Sequence, residues 1–154
     1  MEVHLRVAHE GDFEFAFDAK CDAMGPHIRK RWGWDDAFQR DHHRRRWEEK
    51  RWYVIEGEND RIGTVAIDIT ASHVQFGEFY ILGTYRNQGV GTHVLRYALS
   101  LADERQLETR LEYLKWNPVG TLYARHGFEI RAENEIHYFL VRPPAPKLGK
   151  LNPA

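Results

Sequence analysis

Hydrophobic and polar positions switch period several times along the chain, and each switch predicts an element. Val3, Leu5 and Val7 alternate with polar neighbours, so Val3–Ala8 reads as a strand. Gly11-Asp12 offers an N-cap, and Phe13, Ala16, Phe17, Lys20 and Met24 then recur at helical spacing, with Lys20 the one polar member of that face. Gly25-Pro26 is expected to break this helix. Residues 27–51 lose a clean period. Trp32, Trp34 and Trp47 stand there among nine Lys/Arg and five Asp/Glu, and an irregular helical segment is expected. Arg51–Glu56 and Arg61–Thr70 read as strands joined by the turn Gly57-Glu58-Asn59-Asp60, hence as a hairpin. His73–Leu82 is a further strand, paired to the second of these. Helix 89–105 carries Val90, Val94, Ala98 and Leu101 on one stripe, with Leu95 and Leu99 beside it. Leu107–Trp116 is a strand. Pro118–His126 is a short helix with proline near its first position and Gly127 after its end. Phe128–Arg131 and Ile136–Val141 close as a hairpin.

The order is β-α-α-β-β-β-α-β-α-β-β, which predicts an α/β chain built on a mixed sheet with helices on both faces. The crossover from strand 73–82 through helix 89–105 to strand 107–116 should be right-handed and parallel.

Composition narrows the setting. The 154 residues suffice for one domain with a sizeable core, expected over 1–142, with the proline-rich stretch 143–154 as a tail. Net charge is −1 and the pI is near 6.8, so nothing in the balance of charge calls for nucleic acid. No apolar run approaches a membrane span and Met1–Glu10 has no signal-peptide core, so a cytoplasmic protein without a membrane partner is expected. Cys21 is the only cysteine and sits on a helix, where a buried thiol is expected rather than a nucleophile. His42-His43 and His126 have no ligand spacing, and no HExxH or Cys/His cluster exists, so no metal site is expected.

The stretch Ile81–Thr92, I-L-G-T-Y-R-N-Q-G-V-G-T, carries the strongest chemical signal. A strand feeds a polar loop with Gly89 and Gly91, and an amphipathic helix follows at once. Such a loop brings several N–H groups to one point at a helix N-terminus, where the dipole favours an anion. A phosphate-bearing ligand near Val90 is the reading. The loop is not a dinucleotide fingerprint, since residue 94 is Val, and not a Walker loop, since no Gly-Lys-Ser/Thr follows.

Together with a second motif, this loop resembles the GNAT superfamily of N-acetyltransferases. Arg86-Asn87-Gln88-Gly89-Val90-Gly91 is similar to its pyrophosphate loop, and Asn117-Pro118-Val119-Gly120-Thr121-Leu122-Tyr123-Ala124-Arg125-His126-Gly127-Phe128 to its second signature. The element order agrees over roughly residues 3–142. Asn87 stands where the family commonly has Gly, Gly120 where Ala is frequent, and the Asn117-to-Tyr123 interval of six is one shorter than the commonest form.

The resemblance implies an acyl-CoA N-acyltransferase fold and attack of an amine on acetyl-CoA, with CoA as product. It implies that the amides of Gln88, Gly89, Val90, Gly91 and Thr92 bind the pyrophosphate, with Arg86, Asn87 and Gln88 contributing from the loop. Phe79, Tyr80, Ile81 and Leu82 would pair with the pantetheine arm as an added strand, which requires strand 107–116 to splay away at a bulge. Asn117 would bond the arm, and Tyr123 would give its proton to the departing thiolate. Glu78 is one candidate for the general base, sharing a face with Tyr80 by the strand period. His137 is the other. Trp32, Trp34, Asp35 and Phe38, with Glu78, would line the acceptor site, aromatic faces beside a carboxylate suiting a cationic amine. The run Arg44-Arg45-Arg46 reads as a solvated helix face.

Two functions follow as expectations. One is an acetyl-CoA-dependent N-acetyltransferase for a primary amine of a small molecule or peptide. The alternative is a non-catalytic acyl-CoA-binding sensor or regulatory module. Neither the acceptor nor a homodimer is decided by the sequence.

Overall fold

The computed structural model describes residues 2–146, so 147–154 of the expected tail lie outside the described residues. Seven strands form one mixed sheet in the order β1-β2-β3-β4-β5-β7-β6. The elements are β1 (Val3–Val7), α1 (Phe13–Trp32), α2 (Asp36–Glu49), β2 (Trp52–Gly57), β3 (Asp60–Ile69), β4 (His73–Ile81), α3 (Val90–Glu104), β5 (Glu108–Leu114), α4 (Gly120–Arg125), β6 (Glu129–Glu133) and β7 (His137–Arg142). This is the expected order. The chain divides into two compact units, Met1–Asp68 with Glu78–His93, and Ile69–Gly77 with Val94–Ala154.

In the first unit β1, β2 and β3 pair antiparallel. The β2–β3 turn holds Glu58 at φ 53° and Asn59 at φ 69°, the two left-handed residues of a tight hairpin turn. The core joins Phe17, Val54, Ile55, Ile62, Val65 and Ile67, all essentially inaccessible to solvent. Gly63 lets β4 come close, because a Cβ there would run into the Tyr80 carbonyl oxygen.

Two expectations are corrected in this unit. Gly25-Pro26 does not end the first helix; α1 runs unbroken to Trp32, and Gly33 at φ 74° ends it. Proline removes one helical hydrogen bond and crowds the preceding turn, a local cost of about 3 kcal/mol. Met24, Gly25 and Ile28 are buried on either side of it, and their packing outweighs that cost. Residues 27–51 are likewise not irregular. They are the end of α1, a short loop and the regular α2, whose N-cap Asp35 accepts from the Phe38 amide at 3.1 Å. The apolar period is missing because Gln39 and His43 are the residues that α2 buries. Its outer face is held by ion pairs: Arg40 to Asp36 and Glu14, Arg44 to Glu10, Arg45 to Asp41.

In the second unit β4 and β5 are parallel, as expected for the crossover, and the ladder covers His73–Gln75 against Glu108–Arg110. β5 pairs antiparallel with β7, and β7 with β6, which is the expected closing hairpin. Val94, Leu95, Ala98, Leu99 and Ala102 are the buried side of α3; Leu101, expected on that stripe, lies at its margin. Beyond β7, the Ala145 amide donates to Asp103 at 2.9 Å, and Arg142 pairs with the same carboxylate at 2.6 Å.

Candidate active site

The glycine loop lies in the first unit. Gly83–Tyr85 make a single 3-10 turn after β4, and the chain then enters α3 at Val90. Two loop residues are left-handed, Asn87 at φ 61° and Gly89 at φ 81°. Asn is the non-glycine residue that tolerates this region best, so Asn87 can hold a conformation open to glycine. A Cβ on Gly89 would meet nothing within 4 Å, so this glycine is required by its backbone angle and its surroundings are open. The amides of Val90, Gly91 and Thr92 open the helix and have no partner within it. This is the geometry of an anion cradle.

The side chains of the loop turn back on the protein. Arg86 donates to the Ile81 carbonyl at 2.8 Å and to Asp22 at 3.0 Å, and Gln88 donates to the Thr84 carbonyl at 2.9 Å. Asp22 also accepts from the Gly83 amide at 3.0 Å. This α1 carboxylate therefore fixes both ends of the turn. Sequence reasoning missed it, because its partners are 61 and 64 residues away and no local pattern marks it.

The end of β4 carries an irregularity at Glu78, which has φ 47°, a strained value for a residue with a Cβ. The Glu78 carbonyl accepts from the Thr64 hydroxyl at 3.0 Å. Its carboxylate is mostly covered and shares one oxygen with Lys50 at 3.5 Å and Arg46 at 3.9 Å, while the other accepts from the Tyr80 hydroxyl at 3.3 Å. Glu78 and Tyr80 thus meet as the strand period expects. Past them, the Leu82 amide closes on the Ile62 carbonyl at 2.9 Å.

Trp32, Trp34, Asp35 and Phe38 do come together. With Ile28, Gly33 and Gln39 they line a cavity of about 460 Å³ where α1 turns into α2. Trp32 and Phe38 are more than half exposed. The Arg29 guanidinium lies 5.4 Å from the centre of the Trp34 ring. Asp35 spends one oxygen on the helix cap, a structural duty the sequence reading did not assign to it.

Tyr123, Asn117 and His137 lie in the second unit. Tyr123 is buried on α4, with its ring 5.6 Å from Phe128, 5.7 Å from Tyr113 and 6.5 Å from Phe76. Burial pushes its phenol well above the ordinary tyrosine range, and Tyr113 adds to the shift. The Tyr113 hydroxyl occupies the space a Cβ would take at Gly120, which accounts for glycine where alanine is frequent. Asn117 accepts from the Val119 amide at 3.2 Å through its side-chain oxygen, so it caps the turn into α4 and keeps its NH2 group as a donor. His137 opens β7, opposite Leu114 of β5, with its ring 6.0 Å from Phe139. Among the described residues there is no cluster of His, Cys, Asp or Glu able to hold a metal ion, and no described helix is long and apolar enough to cross a membrane.

Comparison with known proteins gives the family and the fold. A family model described as "Acetyltransferase (GNAT) domain" matches residues 48–130, more than half of the chain, and the chain belongs to that acetyltransferase family. No curated protein matches its sequence. Among solved structures, the PaiA N-acetyltransferase from Thermoplasma acidophilum, in complex with coenzyme A, has a TM-score of 0.74 at 14% identity, over 93% of this chain and 99% of that one. The ribosomal-protein-S18-alanine N-acetyltransferase from Escherichia coli has a TM-score of 0.71 at 13% identity, over 98% and 99%. Ard1 from Thermoplasma volcanium has a TM-score of 0.68 at 20% identity, over 95% and 100%. At such identities the likeness carries the fold.

Proposed function

We propose that this protein is an acetyl-CoA-dependent N-acetyltransferase acting on a primary amine of a small molecule or peptide. The observation that carries the reading is the paired left-handed conformation of Asn87 and Gly89 directly before the first turn of α3. That arrangement fits a diphosphate, and a relative of the same fold was solved with coenzyme A.

Roles follow residue by residue. The amides of Gln88–Thr92 hold the pyrophosphate. The backbone of Phe79–Leu82 offers an edge to the pantetheine arm, and the Asn117 amide nitrogen donates to it. The acceptor amine loses a proton to Glu78, directly or through water, and its lone pair forms the C–N bond at the thioester carbonyl. The nitrogen sheds its second proton to solvent, the C–S bond breaks, its electrons go to sulfur, and Tyr123 donates to the departing thiolate. Because burial holds Tyr123 protonated, this acid is loaded at every neutral pH. A thiol has a reference pKa of about 8.5, below that of the phenol, so Tyr123 helps chiefly as a hydrogen-bond donor while negative charge develops on sulfur. His137 is the second candidate for the base. Trp32, Trp34, Asp35 and Phe38 form the wall offered to the acceptor.

The test is release of free thiol from acetyl-CoA across an amine panel, beside thermal shifts with acetyl-CoA and CoA. Turnover with any amine supports the enzyme. Stabilisation with no thiol released from any amine assigns the chain to acyl-CoA binding without catalysis. No shift at millimolar cofactor overturns both.

A further inference from the structure

We infer that the acceptor carries an anionic group, a carboxylate, phosphonate or phosphate close to its amine, and that Lys20, Arg46 and Lys50 hold it. This rests on the acetyltransferase reading and names the substrate class of the same site.

The first observation is where Lys20 lies. It occupies the buried stripe of α1 that also holds Ala16, Phe17 and Met24, and only 7% of it is exposed. An apolar residue would belong there on periodicity alone. Taking an ammonium out of water is costly unless an anion meets it. The ion pairs beside it run from Lys50 and Arg46 to Glu78, and Lys20 enters this group through its charge. Burial accordingly pushes this ammonium below the ordinary lysine range, against the opposing pull of Glu78.

The second observation is the balance of charge around it. Elsewhere on α2 each arginine faces its own carboxylate: Arg40 has Glu14 and Asp36, Arg44 has Glu10, and Arg45 has Asp41. At the inner end of α2, Lys50 and Arg46 both turn to a single oxygen of Glu78, and Lys20 senses all three charges. Three cations thus address one carboxylate, whose other oxygen is taken by Tyr80. His42 and His43 flank the group, and burial pushes both toward the neutral form, so they add no compensating or further charge. Cations outnumber the one carboxylate in this largely covered cluster.

The third observation is position. Glu78 and Tyr80 are part of the strand end proposed to receive the reacting groups. An amine at Glu78 with an anion on Lys20 describes one small molecule with both charges, such as an α-amino acid. It does not describe a simple alkylamine.

The experiment compares matched acceptors on the full-length protein: L-methionine, L-phenylalanine and L-glutamine, each beside its α-amide, with aminomethylphosphonate as a further anionic amine. Thiol release gives kcat/KM, and thermal shifts in the presence of CoA give binding. A charge-assisted contact in a covered site should favour the anionic member by about 10–100-fold. In Lys20→Met, which removes the charge and keeps the length, the preference should collapse through a raised KM for the acids, with the amides little changed. Lys50→Gln, at a more exposed position, should lose part of the preference and secures the test if Lys20→Met fails to melt cooperatively. Amides accepted as well as acids, or acids and amides reduced equally by Lys20→Met, would overturn the inference. Should no amine release thiol, the acetyltransferase reading fails on its own, and the binding arm still decides this one. Stabilisation by the anionic probes that is lost in Lys20→Met supports the anion site; no stabilisation by any of them refutes it.

Discussion

Gly89 and Gly33 allow the phosphate loop to be tested against an internal control. Both have a positive φ, 81° and 74°, Gly33 with ψ 172°, and a Cβ on either would meet nothing within 4 Å. Alanine at either position is therefore strained and unclashed. A sparsely populated positive-φ conformation costs an L-residue about 1–3 kcal/mol. For a domain of this length each kcal/mol moves the melting temperature by about 2–4 °C, so both variants should melt about 2–12 °C below the parent. They should differ when cofactor is added. CoA at a hundred times its dissociation constant adds about 2.7 kcal/mol, a shift of about 5–11 °C in the parent. The open space beside Gly89 is where the phosphates would sit, and a methyl group there displaces them. A tenfold weaker complex at the same concentration leaves about 1.4 kcal/mol, so the shift in Gly89→Ala should fall to about 3–6 °C. Gly33→Ala ends α1 far along the chain from the loop and should keep the full shift. The assay is differential scanning fluorimetry over a CoA titration. A full shift in Gly89→Ala, with the free protein destabilised as calculated, would show that the pyrophosphate does not rest on this loop.

Three further outcomes are expected. Tyr123→Phe should lower turnover by roughly 10²–10⁴-fold with CoA affinity unchanged, and because burial holds the phenol protonated, the parent should show no alkaline loss from this group at neutral to mildly basic pH; unchanged turnover with chemistry rate-limiting excludes Tyr123 as the acid. Glu78→Gln should depress the rate near neutrality and recover partly as pH rises and solvent supplies neutral amine, whereas a parental pH–rate profile in Glu78→Gln and a flattened one in His137→Gln would pass the base role to His137. Asp12 is buried and accepts from Arg6 at 2.9 and 3.0 Å, from the His9 amide at 3.0 Å and from Arg61 at 3.2 Å. Its Arg6 hydrogen bonds hold the carboxyl well below the usual carboxylate range. A depressed folded-state value means stability that is present above about pH 4 and lost as pH falls below it, because the unfolded chain takes up the proton first. Asp12→Asn should cost about 2–4 kcal/mol at neutral pH and flatten that acid limb in equilibrium unfolding; an unchanged acid limb refutes the assignment.

What could be read from the chain was what depends on neighbours in sequence. The β2–β3 hairpin, the amphipathic α3 and the glycine loop each have their cause within a few residues: a tight turn, a 3.6-residue stripe, a left-handed Gly89. The continuous α1 was not legible, because Pro26 acts locally and the burial that overrides it comes from packing. The regular α2 was hidden for the opposite reason, since a helix that buries Gln39 and His43 and pairs its arginines outward has no aliphatic period to show.

The same division runs through the candidate site. Sequence by itself pointed to the family, and it brought forward the loop expected to meet phosphate and the candidate reactive residues, because a motif is a set of short intervals. It also brought Trp32, Trp34, Asp35 and Phe38 forward as a group, and they line one cavity. Tertiary structure alone decided that Asp22 fixes the loop, that Glu78 adopts φ 47° and shares its oxygen with Arg46 and Lys50, and that Tyr113 fills the space over Gly120. Lys20 shows why. In the sequence it is one polar residue interrupting an apolar stripe, and a long side chain on a helix edge would satisfy that pattern equally well by reaching water. Its meaning comes from charges contributed by α2 and β4, 26 to 58 residues away in the numbering, and only folding sets those charges around it and removes the solvent that would have screened them.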